Sequence, residues 1–311
     1  MPFVTRERGL RRLLVGSVVL LAAARLVGTA NASELETRVT TSAPAAVTAL
    51  KGRPGLLGVG PPAATAAHFF YARGYSLRGS RSATGARATM TVHQPDLRGD
   101  YHSLAELSVS TADLKDIVEL GWTVDPQLFG DTKPRVFVFH WVNGVPQGYN
   151  GGFVVFIDHR GGIDRHEQPP GTALTVGSSV QFSIEHQAGR WWTAVNGTRM
   201  GYFPDSRWNG RLTQPDLVET FGEVAARPPT LGDAPCARMG TGVIPTVSRG
   251  ALISSVGFLP TTTAPVDLSI AAIPNSTYYN VFKISGTSIR YGGPGALNCI
   301  RIILPPPTSP R

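Results

Sequence analysis

Charge is scarce in this chain. Of its 311 residues only 16% are Asp, Glu, Lys or Arg, against roughly 25% in an average soluble domain, which excludes a long charged helix or coiled coil. The 42% hydrophobic content excludes disorder of the whole chain. A net charge of +8 suggests a nucleic-acid partner, yet Arg6, Arg8, Arg11, Arg12, Arg25 and Glu7 all fall in the first 32 residues, and setting them aside leaves +4. No basic run with interleaved aromatics remains, so no nucleic-acid partner is expected. Beyond the N-terminus no apolar run approaches the ~20 residues that a spanning helix needs, so no stable membrane association is expected. The sequence has no G-x-S-x-G, no Walker loop and no G-x-G-x-x-G after a strand, which leaves serine-hydrolase, nucleotide and dinucleotide readings without support. A Ser/His/Asp set drawn from distant strands stays open. His159 and His166 lie in a Gly/Arg/Asp loop without metal-ligand spacing, so neither a metal nor a cofactor is implied.

Cysteine is almost absent too. Cys236 and Cys299 are the only two, and in an exported chain the simplest expectation is that they pair. Export is suggested by the N-terminus itself: arginines up to Arg12, an apolar stretch from Leu13 to Ala24, then Ala30-Asn31-Ala32. That is the pattern of a secretory signal peptide over residues 1–32, and it implies a secreted, extracellular protein. Residues 33–67 are rich in Ala, Thr, Pro and Gly and poor in aromatics, so they read as a disordered spacer or propeptide. The folded domain is expected over 68–311.

What the chain does have is turns and alternation. Its 35 Gly and 25 Pro exceed average usage and point to short elements joined by many turns. Along Ile117–Asp125, Val118, Leu120, Trp122 and Val124 take one face while Ile117, Glu119, Gly121 and Thr123 take the other. Val136, Val138, His140 and Val142 oppose Phe137, Phe139 and Trp141, as in a strand buried on both sides. Val180, Phe182 and Ile184 alternate with polar residues. Further strands are expected at Ala88–Val92, Gly152–Ile157, Arg190–Val195, Leu217–Ala225, Ala251–Phe258, Tyr278–Ile284 and Thr287–Tyr291, the last two flanking a Ser285-Gly286 hairpin turn. About ten short strands without an amphipathic helix predict an all-β fold, an antiparallel β-sandwich of two packed sheets or a barrel.

Two carboxylates stand out. Glu119 interrupts an apolar strand, and Glu223 shares a strand face with Leu217, Glu219 and Phe221. Either can equally be an outward-facing surface residue. Gly121 and Gly222 thin the same two strands, which would let a substrate backbone come close.

The motifs around these residues resemble the neprosin family. IVELGWTVDPQLFGD from Ile117, followed by RVFVFHWV, is similar to that family's glutamate, Gly-Trp and Pro-x-Leu-(Tyr/Phe)-Gly-Asp opening. GRWWTAVNGTRMGYFP, VETFGEV, MGTG and YGGPG before Cys299 resemble later family segments in the same order. The resemblance implies a secreted β-sandwich glutamic endopeptidase that cleaves after proline with two glutamates and no metal or cofactor. Those glutamates are carried by motif onto Glu119 and Glu223. Phe221 replaces a family glycine, and Gly148-Tyr149-Asn150 keeps the character of a family loop without its cysteines. Trp122, Tyr149, Trp191, Trp192 and Tyr202, with Trp141, are candidates to line a cleft for a proline-containing peptide, although each also suits a core. A monomer is expected. Two neighbouring carboxyls that share one proton offer a base for water and an acid for the leaving nitrogen. A secreted carbohydrate-binding or glycoside-cleaving sandwich stays open, as does a non-catalytic surface protein.

Overall fold

Alternating apolar side chains in short runs bounded by turn residues make strands, and strands supply nearly all the regular structure. The computed structural model describes residues 51, 67–77, 83–155, 169–227, 234–260, 266–270, 277–297 and 299. The expected signal peptide lies outside these residues, as does all of the expected spacer except Lys51 and Ala67. The loop histidines His159 and His166 and the end of the expected Gly152–Ile157 strand lie outside them too.

Two antiparallel sheets form a β-sandwich. From edge to edge the first sheet runs β13 (Ser269–Ile270), β1 (His68–Leu77), β11 (Leu217–Ala226), β3 (His102–Ser110), β4 (Ile117–Val124), β5 (Arg135–Val142) and β6 (Val145–Pro146). The second runs β14 (Asn280–Ser285), β15 (Ser288–Gly292), β12 (Ala251–Leu259), β2 (Gly85–Thr91), β8 (Ser179–Gln187), β9 (Arg190–Val195), β10 (Thr198–Pro204) and β7 (Val154–Val155). The only helices among the described residues are single turns, α1 (Pro126–Phe129) and a 3-10 turn at Asp205–Arg207.

β4 shows how the layers arise. Val118, Leu120, Trp122 and Val124 point between the sheets, in one apolar cluster with Phe182, Ile184 and Trp191 of the second sheet. Ile117 points the other way, into a smaller cluster with Leu104, Phe137, Phe139, Trp141, Tyr149, Leu217 and Phe221. The first sheet is therefore covered on both faces, and β3, β4 and β11 are buried at every position. His140, read among the valines of β5, does face the interior against Phe203 and Trp208. Burial pushes its pKa down to about 3, so it is neutral.

Several strands were not legible from alternation. β1, β3 and β10 were not expected, nor were the short edge pieces β6 and β13. β3 reads His102-Ser103-Leu104-Ala105-Glu106-Leu107-Ser108, with His102, Glu106 and Ser108 interrupting its outer face although both faces are buried. The last hairpin turns one residue later than expected, since Ser285 pairs with Ser288 around Gly286 and Thr287. The expected disulfide is present between Cys236 and Cys299, with Cα atoms 5.5 Å apart and 63 residues of sequence separation. Closing a loop of that length is worth about 4 kcal/mol in the chain-entropy account.

The two strand glycines answer to packing rather than to an approaching substrate. A Cβ on Gly222 would enter the Tyr291 ring and come within 2.8 Å of Met239 Sδ, on the interior side. A Cβ on Gly121 would collide with the carbonyl oxygen of Ala105 and lie 2.8 Å from Glu106 Cα, so this glycine allows β3 and β4 to approach. The obstacle is backbone and cannot rotate away. Gly121→Ala should therefore cost about 2 kcal/mol or more in chemical denaturation, by forcing β3 from β4. An unchanged denaturation midpoint would contradict this packing account.

Candidate active site

Residues directly opposite each other in a sheet share a face, as do alternate residues along a strand. Register therefore fixes what stands on the outer face of the first sheet. Glu119 on β4 pairs with Ser108 of β3 and Phe139 of β5. Glu223 on β11 pairs with Leu104 of β3 and Tyr71 of β1. The two strands are not neighbours, because β3 runs between them. At its centre, opposite both Gly121 and Phe221, stands Glu106. All three glutamates thus share a face, with Glu106 on the diagonal between the other two, and all three are fully buried.

Their carboxylates converge on one nitrogen. Lys51 Nζ lies 2.9 Å from Glu106 Oε2, 3.4 Å from Glu119 Oε2 and 2.9 Å from Glu223 Oε2. Each of the three oxygens is within 3.4 Å of one point, so no two of them can be more than twice that apart. Each far oxygen has its own setting. Trp141 Nε1–H donates to Glu119 Oε1 at 3.0 Å. His102 Nε2 lies 2.9 Å from Glu223 Oε1, and its Nδ1 faces Asp125 Oδ2 at 3.8 Å. Asp125 Oδ1 meanwhile caps α1, accepting from the backbone N–H groups of Gln127 and Leu128. Glu106 Oε1 has no hydrogen-bond partner among the described residues.

Burial and charge pull the three carboxyls apart in pKa. Burial pushes Glu119 up to about 7, helped by the charge of Glu223 and opposed by Lys51 and the Trp141 N–H. Burial, reinforced by Glu119, pushes Glu106 well above the usual carboxyl range against the pull of Lys51. Glu223 goes the other way, because Lys51 and the His102 hydrogen bond outweigh its burial and hold it below its ordinary value. The arrangement pairs one carboxylate that stays ionised with others that keep protons, which is what an acid–base pair requires. Lys51 itself is held charged, since three carboxylates overcome its burial.

The sequence-derived aromatic candidates do not gather at this point. Tyr149 does share the glutamates' surroundings, packed edge-on to Phe137, Phe139 and His102, and its hydroxyl is buried without a partner among the described residues. Trp141 is there as well. Trp122 and Trp191 lie between the sheets. Trp192 and Tyr202 pack against each other at a tilt in the second sheet, on its side away from the core, with Arg190 over both rings and Arg199 over that of Trp192. Glu219, also on the glutamates' face, is ion-paired with Arg73 at 3.2 Å. Sequence reasoning missed Glu106, His102, Asp125 and Lys51. Alternation of Ala105, Leu107 and Val109 could have located β3 and set the phase of Glu106 and His102. Lys51, a single lysine in a low-complexity stretch, carried no such signal.

Among protein families, a model described as Neprosin matches residues 99–294, well over half of the chain. Among solved structures, scytalido-glutamic peptidase with a transition state analog inhibitor is 10% identical, with a TM-score of 0.44, covering 73% of this chain and 98% of that one. SCP-B, a member of the eqolisin family of peptidases in complex with the tripeptide Ala-Ile-His, is 9% identical over the same shares, with a TM-score of 0.41. A tetrameric galectin from the ball sponge Cinachyrella sp. is 14% identical, with a TM-score of 0.31, covering 60% of this chain and 98% of that one. At these scores none of the three bears on the chemistry.

The raised carboxyls predict a direction for stability. Glu119 and Glu219 are pushed from 4.5 to about 7 by burial, so between those values the folded state binds more protons than the unfolded state. Their contribution is intact below pH 4.5 and is lost as pH rises through about 7. A shift of that size corresponds to roughly 3 kcal/mol per group. His140, pushed down to about 3, and His93, also lowered, act in the opposite sense below about pH 6.5, so thermal melts should show stability falling from pH 6.5 to pH 8, and Glu119→Gln should flatten part of that fall. A melting temperature that rises from pH 6.5 to pH 8 would contradict the buried, proton-holding face.

Proposed function

The chain belongs to the neprosin family, and from that premise and the buried carboxyls we propose that it is a secreted glutamic endopeptidase that cuts after proline, with Glu119 and Glu223 as its acid and base. The observation that carries this reading is the convergence of Glu119 and Glu223 oxygens on one buried point, with the Trp141 N–H on the far oxygen of one and His102 on that of the other. Glu223, ionised at mildly acid pH, takes a proton from water as the water oxygen attacks the peptide carbonyl. Glu119, protonated up to about pH 7, gives a proton to the departing nitrogen as the C–N bond breaks. Transfer of the proton from Glu223 back to Glu119 resets the pair. His102 contacts the far oxygen of Glu223, which favours its ionised form after Lys51 has withdrawn, while the Trp141 N–H holds Glu119 by its far oxygen.

Proline specificity is supported by the surroundings and by the family. Tyr71, Phe137, Phe139, Trp141 and Tyr149 form a predominantly apolar wall beside the carboxyls, suited to a ring with no N–H to satisfy. Export is supported by the N-terminal pattern and by the disulfide.

In the arrangement described, the point where water would sit is occupied by Lys51 Nζ. We read this as a closed state from which Lys51 must withdraw before water and peptide can enter. Removing the ammonium by Lys51→Ala should speed cleavage of a proline-containing peptide at pH 5–6 at least tenfold over the unaltered chain, and an equal rate would show that Lys51 does not block the site. In the same background, Glu119→Gln and Glu223→Gln should each lower kcat by roughly 10²–10⁴ without unfolding the protein. The double variant should be little worse than either single one. Near-normal cleavage by either single variant would remove the two-glutamate mechanism. Replacing the proline by alanine in the peptide should abolish cutting at that bond.

A further inference from the structure

The mechanism above assigns a base to the attacking water and an acid to the leaving nitrogen, and it names no donor for the oxygen of the tetrahedral intermediate. Glu106, fully buried on the central strand between the two working glutamates, is used for neither. Its Oε2 lies 2.9 Å from Lys51 Nζ, as close to the convergence point as Glu223 and closer than Glu119. The water that replaces the ammonium is therefore within hydrogen-bond reach of Glu106, and the oxyanion forms on the carbon which that water attacks, one bond beyond it. Its other oxygen has no partner among the described residues, where Lys51 is the one charged group paired with Glu106.

We propose that Glu106 is a third catalytic carboxyl, a protonated acid whose O–H donates a hydrogen bond to the oxyanion while Glu119 delivers the proton to nitrogen. This rests on the peptidase reading above. Through one turnover Glu106 keeps its proton. Water gives its proton to Glu223 and its oxygen to the carbonyl carbon, the C–N pair of electrons leaves with nitrogen, and Glu119 protonates that nitrogen. Burial beside Glu119 favours the protonated form that such a donor needs, and preorganised donors of this kind act most strongly where water is excluded.

The chemical difference between donating a hydrogen bond and donating a proton supplies the test. A glutamine amide can do the first and not the second. All variants are made in the Lys51→Ala chain and assayed at pH 4–5, where the raised carboxyls are protonated and their burial without a cation is tolerated. Glu106→Leu should lower kcat by about 10²–10³ with little change in KM, the loss expected for one oxyanion donor. Glu106→Gln should recover kcat to within about tenfold of the parent, whereas Glu119→Gln stays inactive. A peptide carrying a secondary alcohol in place of the scissile carbonyl should bind Glu106→Leu about 100-fold more weakly than Glu106→Gln, a readout that does not depend on turnover. If Glu106→Leu unfolds at this pH, the comparison of Glu106→Gln with Glu119→Gln still decides. Equal cleavage and equal alcohol-peptide affinity in Lys51→Ala and its Glu106→Leu derivative would make Glu106 only a counter-ion for Lys51. Inactivity of Glu106→Gln as deep as that of Glu119→Gln would also overturn the assignment, since it would make Glu106 an obligate proton donor. Failure of the peptidase reading is separate, because it shows as no cleavage by Lys51→Ala itself.

Discussion

Three carboxylates in a dry sheet face cannot all ionise, and the rest of the site follows from that constraint. Removing a charge from water costs several kcal/mol even after the protein relaxes, so each buried glutamate must either meet a cation or hold a proton. Glu223 meets Lys51 and His102. Glu119 and Glu106 share Lys51 and are driven toward protonation. The same burial that makes the face costly spreads its carboxyls in pKa, one held ionised and two driven toward protonation, which is the separation that acid–base chemistry uses.

The scaffold meets this cost through layering. A sheet buried on one face only would leave these glutamates in water, where they would titrate ordinarily. Here the aromatic cluster of Phe137, Phe139, Trp141, Tyr149 and Phe221 covers the outer face, while the sandwich interior fixes the strands from behind. Trp141 does two things: its ring is part of the cover and its N–H is a partner of Glu119. The capped turn α1 performs a similar double duty, since Asp125 ends β4 cleanly and faces His102. Glu219 and Arg73 extend the buried charge along β11 and β1 as a self-contained pair.

How much of this was legible depended on whether a residue's pattern survived burial. β4 was read correctly down to its faces, because one side is uniformly apolar and the other is not. β3 was missed, because its apolar alternation is short, Ala105, Leu107 and Val109, and its other buried face carries polar residues, and Glu106 and His102 were lost with it. Glu119 and Glu223 each stood out on its own strand, but their pairing came from motif resemblance, since the two strands are neither adjacent in sequence nor paired. Aromatic residues were read poorly for the opposite reason. A tryptophan on a buried strand looks the same whether it faces the site, as Trp141 does, or the interior, as Trp122 and Trp191 do, and a one-residue change of phase decides between them. Lys51 had no signal, because its role depends wholly on three partners far away in sequence.

The central claim is that Glu119 and Glu223 are an acid and a base of opposite pKa displacement in one buried cluster. It is tested most directly by following their carboxyl carbons by NMR through a pH titration of the glutamate-labelled protein, with Glu119→Gln and Glu223→Gln supplying the assignments. The account predicts that Glu119 titrates near pH 7 and Glu223 below 4.5, with each curve altered when the other residue is replaced. Two independent titrations, both near 4.5, would contradict it.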